Sequence, residues 1–310
     1  AEARRNRAKI IGMIRSWDNF TTKGFPRIQP DKLIVQNEIM KAEATEFGRI
    51  PRNKILVSGM PQYDRYISGQ RMSREEFFKK IGLNPNRKLI LLSPLGQRFS
   101  DTDWEIMDIL KKLIHNQEIP AANVLVRNTP NDAVPLGSFK PDEHFYLDDP
   151  GHFFSAGGGS SSGGKAGVYR DRELGRVDMD WLADCLYYAD VIVAGGASIG
   201  IDAAIFGKPT VIIHFDGYQM NKPYQFSVKR FIEYNHPAPI LKSGAMRSAQ
   251  SQDQFRDYLR GYLNDPKKDE AARQAMLRDY CWRLDGNSGE RIGQFIAQEV
   301  NKSPHQTRIA

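Results

Sequence analysis

The chain contains little cysteine and no long apolar run, and each absence narrows what the protein can be. Its 310 residues include two cysteines, Cys185 and Cys281, whose spacing fits no metal site. We expect both to be reduced, in a cytoplasmic setting. No run of about 18 uncharged apolar residues occurs, and the charged start lacks the apolar stretch of a signal peptide. We also expect no GxSxG, Walker-loop or HExxH motif, and the turn at 195–200 is not the GxGxxG fingerprint of dinucleotide-binding proteins.

The composition is that of a globular protein with a modest basic excess. Apolar residues make up 40% and charged residues 26%, with a net charge of +7 from 44 basic and 37 acidic side chains. This excess favours anionic partners. Its densest cluster is Arg4, Arg5, Arg7 and Lys9. That cluster is either a solvated chain start or a contact for a membrane surface or an acidic polymer.

Strand-like and helix-like runs alternate along most of the chain. RKLILLS (87–93) and DVIVAG (190–195) are typical of buried strands, and residues 101–117 have helical apolar spacing. This alternation predicts an α/β fold, a parallel sheet with helices on both faces. We also predict a helix over 223–234, a short strand over 238–241 and three helices after residue 250.

One segment does not fit that pattern. Residues 155–167 read SAGGGSSSGGKAG, which cannot bury apolar area and predicts a flexible tether. It is either natural low complexity or an engineered replacement for a loop.

Glycine and polar residues follow several predicted strands, at the edge where ligands of parallel sheets bind. The loops SPLGQRFS, RNTPND and HFDGYQMNKPY carry residue types that suit phosphate and sugar groups. Each loop is equally consistent with an ordinary connecting turn. The binding candidates that these loops contribute are Ser93, Gly96, Arg98, Arg127 and Asp216.

The stretch GGASIGIDAAIFGKP (195–209) gives the strongest indication of a phosphate site. Gly195, Gly196, Ala197 and Ser198 join a strand to a helix, and small residues there let an anion approach the helix start. Asp202 lies one turn further on the same helix face, where a carboxylate can accept hydrogen bonds from ribose hydroxyls. The alternative is a glycine turn made for tight packing.

A second unusual stretch, RSWDNFTTKGF (15–25), places a tryptophan and an Asp-Asn pair directly after a strand. Asp18 and Asn19 are the catalytic candidates of the chain.

Four segments together resemble the GT-B glycosyltransferases of bacterial surface-polysaccharide assembly. They are SWDNFTTKG, DKLIVQNEIMKAEA, ILVSGMPQYD and LADCLYYADVIVAGGASIGIDAAIFGKPTVII. The chain is most similar to the CDP-glycerol glycerophosphotransferase-like and UDP-N-acetylglucosamine 2-epimerase-like branches. The resemblance covers most of residues 10–300, is most specific over 184–213, and extends to DGNSGERI (285–292).

The resemblance implies a GT-B type α/β fold, a Rossmann-like parallel sheet with helices on both faces plus the remnant of an N-terminal Rossmann-like domain. Residues 1–70 would be the end of the acceptor-side domain and the linker. Residues 71–285 would form the nucleotide-donor domain, and 286–310 a C-terminal helix and tail. The chain would then be a C-terminal portion.

The resemblance also assigns roles. Ser198 and the amides around Gly196 would hold the donor diphosphate, and Asp202 would bind the ribose. The catalytic base of such enzymes commonly lies in the N-terminal domain, most of which the resemblance implies is absent here. The resemblance therefore also implies that this chain alone binds the donor but transfers little. Arg127 is followed by Asn-Thr-Pro where relatives have His-Pro, which argues against an epimerase.

The resulting hypothesis is a metal-independent glycosyltransferase that uses a UDP- or CDP-linked sugar as substrate and needs no cofactor. Its acceptor would be a polysaccharide or a lipid-linked molecule, in the cytoplasm or at the inner face of the plasma membrane. The alternatives are a CDP-glycerol-type glycerophosphotransferase, a nucleotide-sugar 2-epimerase and a non-catalytic nucleotide-binding module. Nucleic acid is a poor partner, since aromatic residues are not interleaved with a basic stripe.

Overall fold

A computed structural model describes residues 2–6, 8–17, 20, 24, 28–130, 132, 134–153, 172–233 and 237–302. The predicted catalytic pair, Asp18 and Asn19, and the Gly/Ser segment 155–167 lie outside these residues. The chain forms two compact units, one from residues 1–69 with 275–310 and one from residues 70–274.

The described residues form eleven strands in three sheets. Three strands build a parallel sheet in the first unit, six build a parallel sheet in the second, and β7 and β8 form a small antiparallel pair. The strands are β1 Ile11–Met13, β2 Lys32–Val35, β3 Ile55–Val57, β4 Lys88–Ser93, β5 Ala122–Arg127, β6 Phe145–Asp148, β7 His152–Phe153, β8 Arg172–Glu173, β9 Val191–Ala194, β10 Thr210–Ile213 and β11 Arg247–Ala249.

Twelve α-helices and two short 3₁₀ helices accompany these strands in the described ranges, and no helix there is long and apolar enough to cross a bilayer. The 3₁₀ helices are Arg52–Lys54 and Tyr224–Phe226. The α-helices are α1 Glu2–Arg5, α2 Glu38–Glu46, α3 Pro61–Ser68, α4 Arg74–Ile81, α5 Asp103–His115, α6 Arg176–Tyr188, α7 Ser198–Ile205, α8 Lys229–Ile232, α9 Ala238–Lys242, α10 Gln252–Asn264, α11 Glu270–Cys281 and α12 Ser288–Asn301.

The sheet of the second unit has the strand order β11-β10-β9-β4-β5-β6, and all its pairings are parallel. Numbered within the unit, this is the order 3-2-1-4-5-6 of a doubly wound fold. The chain reverses its direction of travel between β4 and β9, so the connections on either side diverge there. A crevice therefore opens beyond the carboxyl ends of these two strands.

The central strands of this sheet are mostly apolar and buried because helices cover both of its faces. β5, β9 and β10 are buried at every residue. Helix α5 packs one row of apolar side chains into the core of the sheet, and its Met107 and Leu110 are fully buried. Helix α10 adds Phe255 and Leu259 to the same core. The buried faces fix the positions of the strand ends, and hence of the loops that follow them.

Two predicted elements near residue 230 differ from the structure. The helix predicted over 223–234 is a 3₁₀ turn followed by the one-turn helix α8, since Ser227 has an extended backbone that separates them. The strand predicted over 238–241 is helix α9, which begins after Pro237 with Pro239 in its first turn. The edge strand is instead β11, only three residues long and partly polar.

The sheet of the first unit is built from β1, β2 and β3, all parallel. Asn37 ends β2 and starts α2, because its side chain accepts a hydrogen bond from the Met40 amide (2.8 Å). Asn37 also donates its Nδ2 group to the Tyr280 carbonyl at 2.8 Å, which ties this turn to α11. Leu33, Val35 and Met40 lie in the core of the unit.

The segments ILVSGMPQYD and DGNSGERI lie together in this unit. Asp64 on α3 accepts hydrogen bonds from the amides of Ser288 (3.0 Å) and Gly289 (2.8 Å), so its carboxylate caps the start of α12. Arg291 donates Nε to the Ser58 carbonyl (2.8 Å) and pairs with Asp285. The two motifs are therefore halves of one structural contact between α3 and α12.

We expect Asp64→Ala to lower the free energy of unfolding by about 1–2 kcal/mol, because two amides at a helix start lose their acceptor. Urea unfolding followed by circular dichroism measures this loss. Asp279→Ala, which removes an exposed carboxylate from α11 of the same unit, is the matched control. An equal effect of both substitutions would contradict the capping role.

Candidate functional site

The loops that follow β4 and β9 meet at the point where the strand order reverses. Ser93 pairs with Ala194 in the sheet register, and the Gly195 amide donates a hydrogen bond to the Ser93 carbonyl at 3.2 Å. The structure therefore brings together the sequence candidates at the ends of these two strands. Because the crevice of a doubly wound sheet opens at this point, it is the candidate site of the second unit.

The two glycines of the β9–α7 turn have different physical roles. A Cβ atom on Gly195 would lie 2.2 Å from Cγ of Leu95, so only glycine lets the two loops approach this closely. A Cβ atom on Gly196 would meet nothing within 4 Å. Packing thus explains Gly195, whereas Gly196 faces open space in front of α7.

Helix α7 begins directly behind that open space. Ala197 is buried, Ser198 is exposed as the first helical residue, and Asp202 lies half-buried one turn further along. Within the described part of the chain, the amides of Gly196 and Ala197 donate no backbone hydrogen bond. Free amides at the start of a helix favour an anion, through hydrogen bonds and the helix dipole.

Carboxylates of the chain itself occupy the amides of the loop after β4. Asp103 accepts from the amides of Leu95 (3.2 Å) and Gly96 (2.8 Å), and Asp132 accepts from the Arg98 amide (2.9 Å). Gly96 has a φ of +88°, and a Cβ atom there would lie 2.4 Å from Oδ2 of Asp132. The amides of this loop are therefore used by two carboxylates of the chain and are not available to bind an anion.

The ionisation of Asp103 depends on this arrangement. Burial raises the pKa of its carboxyl group to about 6, and the nearby carboxylates Asp132 and Asp101 add to the rise. The hydrogen bonds from the Gly96 and Leu95 amides act in the opposite direction because they favour the charged form. Asp103 consequently titrates close to neutral pH.

Arg127, the candidate at the end of β5, forms a buried ion pair. Its guanidinium contacts the Asp148 carboxylate at the end of β6 and donates to the Asp178 carbonyl (3.1 Å) on α6. Asp148 also accepts from Nε1 of Trp181 at 3.1 Å. These contacts hold α6 against β5 and β6, so the charge of Arg127 is balanced within the unit.

Asp216, the candidate after β10, is likewise engaged. Its carboxylate is buried and accepts from the Ser227 hydroxyl (2.5 Å) and the Val228 amide (2.9 Å). It therefore closes the loop that leads into α8.

The structure adds two residues to the site that sequence reasoning missed, Asp103 and Asp132. The available signal for Asp103 was a carboxylate in the first turn of a predicted helix. Asp132 gave no such signal. It lies 36 residues after Gly96 in the chain and comes close to it only because β5, which it follows, pairs with β4.

Residues Gly196–Gly200 read G-A-S-I-G, so the expectation that the chain lacks the G-x-S-x-G pattern of the hydrolase nucleophile elbow is wrong. In that elbow the serine sits on a strained turn between strand and helix. Here Ser198 is the first residue of α7, and it is not among the described residues with positive φ. The backbone therefore does not present Ser198 as an elbow nucleophile.

We expect Gly195→Ala to destabilise the fold by about 1–3 kcal/mol, since the added methyl group overlaps Leu95. Gly196→Ala adds the same atom to open space and is expected to change stability by less than about 0.5 kcal/mol. Thermal unfolding of the two variants side by side measures the difference. Equal stabilities would contradict the distinction between a packing glycine and a site glycine.

We expect the amide signals of Leu95 and Gly96 to titrate together near pH 6, following Asp103. The folded-state pKa lies above the unfolded value of about 3.9, so the folded chain binds the proton more tightly. The contribution of this proton to folding stability is therefore fully present below the unfolded pKa of about 3.9 and is lost as the pH rises through 6. NMR titration checks the midpoint, and Asp103→Asn should abolish it; a midpoint near pH 4 would refute the burial effect.

Comparison with known proteins gives a likeness of fold. No protein-family model matches the chain, and no curated protein sequence matches it. The wall teichoic acid polymerase TagF aligns with a TM-score of 0.53 at 13% identity, over 88% of this chain and 59% of that one. The chain thus spans about three fifths of the polymerase's length.

Two further solved structures match over nearly the whole chain. A Listeria monocytogenes protein described as a candidate UDP-N-acetylglucosamine 2-epimerase has a TM-score of 0.58 at 12% identity, over 99% of this chain and 72% of that one. S. aureus MnaA, in a co-structure with UDP, has a TM-score of 0.57 at 14% identity, over 98% and 71%. The chain shares the α/β fold of these enzymes, and the GT-B type architecture expected from the sequence is confirmed.

Proposed function

We propose that the chain binds a nucleotide-activated sugar and serves the transfer of its glycosyl group to an acceptor hydroxyl in surface-polysaccharide synthesis. The observation that carries this proposal is the β9–α7 turn. Its Gly196 leaves open space in front of the amides at the start of α7, at the reversal point of the strand order. The likeness of fold to MnaA, which was solved with UDP, supports a nucleotide ligand.

The proposed pose places the diphosphate in front of α7. The amides of Gly196 and Ala197 donate to its oxygens, and the exposed Ser198 hydroxyl lies at the same helix end. Asp202, one turn along, accepts hydrogen bonds from the ribose hydroxyls. A UDP- or CDP-linked sugar carries both a diphosphate and a ribose.

In the proposed reaction the acceptor hydroxyl oxygen attacks the anomeric carbon of the sugar. The bond from that carbon to the diphosphate oxygen breaks, and the hydroxyl proton passes to a base, for which Asp18 beside Asn19 remains the sequence prediction. Negative charge grows on the departing diphosphate, where the α7 amides and helix dipole stabilise it most. The proposed chemistry therefore needs no metal ion.

The proposal uses fewer residues than the sequence suggested. Arg127 and Asp216 hold α6 and the β10 loop through buried contacts, and we assign both to positioning the loops. Ser93 and Gly96 shape the crevice through their backbones, and the exposed Arg98 side chain lies on the loop above them.

Calorimetric titration with UDP, CDP, GDP and ADP tests the donor site directly. We expect one pyrimidine nucleotide to bind, and Asp202→Ala to weaken it by roughly ten- to a hundredfold through the lost ribose hydrogen bonds. Gly196→Ala should weaken the same nucleotide while leaving the fold intact, because its methyl group fills the space for the diphosphate.

Asp253→Ala, which removes an exposed carboxylate from the start of α10, is the matched control and should bind as the parent does. Absence of binding to all four nucleotides, or full affinity in both site variants, would refute the donor site. Retention of glycosyl transfer after Asp18→Asn would separately refute the assigned base.

A 2-epimerase is the second candidate, favoured by one observation. Asp103 is a carboxyl group with a pKa of about 6 at the reversal point of the sheet, which suits proton transfer at neutral pH. Incorporation of solvent deuterium into a UDP-sugar without any acceptor, abolished by Asp103→Asn, would favour the epimerase over the transferase.

A further inference from the structure

Large apolar side chains are exposed on the loop that follows β10, residues 218–231, which we call the aromatic loop. Met220 is 91% exposed, Phe226 58% and Tyr224 57%. Phe99, at 41%, belongs to the neighbouring loop after β4 and contacts Phe231 edge-on, with ring centroids 5.2 Å apart. Single exposed apolar residues are ordinary, but several on adjoining loops mark a surface that binds something.

Buried carboxylates hold this loop in place. Asp216 accepts from Ser227 and from the Val228 amide, as described above. Glu105 on α5, also buried, accepts from the Tyr218 amide (2.5 Å) and from Nε2 of Gln219 (3.0 Å). The apolar side chains are therefore exposed from a fixed backbone, and binding through them costs little ordering entropy.

The charge of the loop is of one sign. Residues 218–231 contain three basic side chains and no acidic one, whereas the whole chain has 37 acidic residues in 310. Lys222 forms an ion pair with Asp101 and is neutralised, while Lys229 is exposed and Arg230 half-buried. Arg98, on the loop that carries Phe99, is exposed as well. An anionic surface therefore complements the loop.

We propose that the aromatic loop, together with Phe99 and Arg98, docks the second unit onto the surface of an anionic lipid bilayer. Methionine and aromatic side chains insert at the boundary between headgroups and acyl chains, and basic side chains pair with the anionic headgroups. The mixture of Met220 and Phe226 with lysine and arginine fits this boundary. Each component of the loop thus has a counterpart in the bilayer.

The aromatic loop lies close to the candidate nucleotide site. It follows the carboxyl end of β10, at the same edge of the sheet as the β9–α7 turn. A bilayer on the loop would lie beside the nucleotide site and favour an acceptor presented from the membrane. This consequence rests on the proposed function, whereas the docking itself does not.

Co-sedimentation with phosphatidylcholine vesicles, with and without phosphatidylglycerol, tests the docking without any nucleotide. We expect the full chain to bind the phosphatidylglycerol vesicles and to bind less at high salt. Met220→Ser with Phe226→Ser should weaken binding at least about tenfold through lost apolar insertion. Lys229→Gln should weaken it by about fivefold.

The matched control is Val177→Ser with Tyr187→Ser, two exposed apolar residues on α6 of the same unit, and it should bind as the parent does. Circular dichroism and thermal unfolding establish that all variants are folded.

Absence of vesicle binding, or binding equal in the two double variants, would overturn the docking. If a soluble polyanion displaced the parent and the Met220/Phe226 double variant from vesicles equally well, the docking would also be overturned. Binding by charge alone would then explain the result. Nucleotide titration is independent of these outcomes, so failure of one proposal leaves the other standing.

Discussion

The close approach of the loops after β4 and β9 is the constraint on which the candidate site depends. Gly195 makes it feasible, because any larger residue would overlap Leu95, and its amide completes a hydrogen bond to the Ser93 carbonyl. With the loops joined at Gly195, the chain turns into α7 through Gly196, where an added Cβ atom would meet nothing within 4 Å. The tight contact at Gly195 and the open space at Gly196 thus lie side by side in the chain. A ligand site and a tight turn are here two consequences of the same geometry.

The architecture could be predicted from sequence because its causes are local. Buried strands of β-branched and leucine residues, the Ser73–Glu76 capping box of α4 and the helical spacing of α5 each specify their own segment. Predictions failed around residues 223–241, where proline fixes the backbone and tertiary contacts decide the outcome. There Ser227 is held by the Asp216 carboxylate, which interrupts the expected helix. Edge strand β11 is too short and polar to give a pattern of its own.

The site was less predictable than the fold, because sequence gives residue types but not their partners. Arg127 has the charge that a phosphate would require, yet the next strand supplies Asp148 to pair with it. Asp132 follows a turn and has no helical or strand pattern, although it holds the Arg98 amide. Such pairings join neighbouring strands of a parallel sheet, whose connections are long. Only the strand order determines which loops become neighbours.

The distribution of acids along this edge of the sheet directs an anion to one loop. Asp103 and Asp132 occupy the loop after β4, and Asp216 closes the loop after β10. By contrast, the stretch VIVAGGASIGI between Asp190 and Asp202 has no charged residue at all. A diphosphate placed about 4 Å from Asp103 or Asp132 would be repelled by roughly 4 kcal/mol per pair of unit charges near a protein surface. The carboxylates that hold the loops therefore also leave the start of α7 as the position at this edge where negative charge is least opposed.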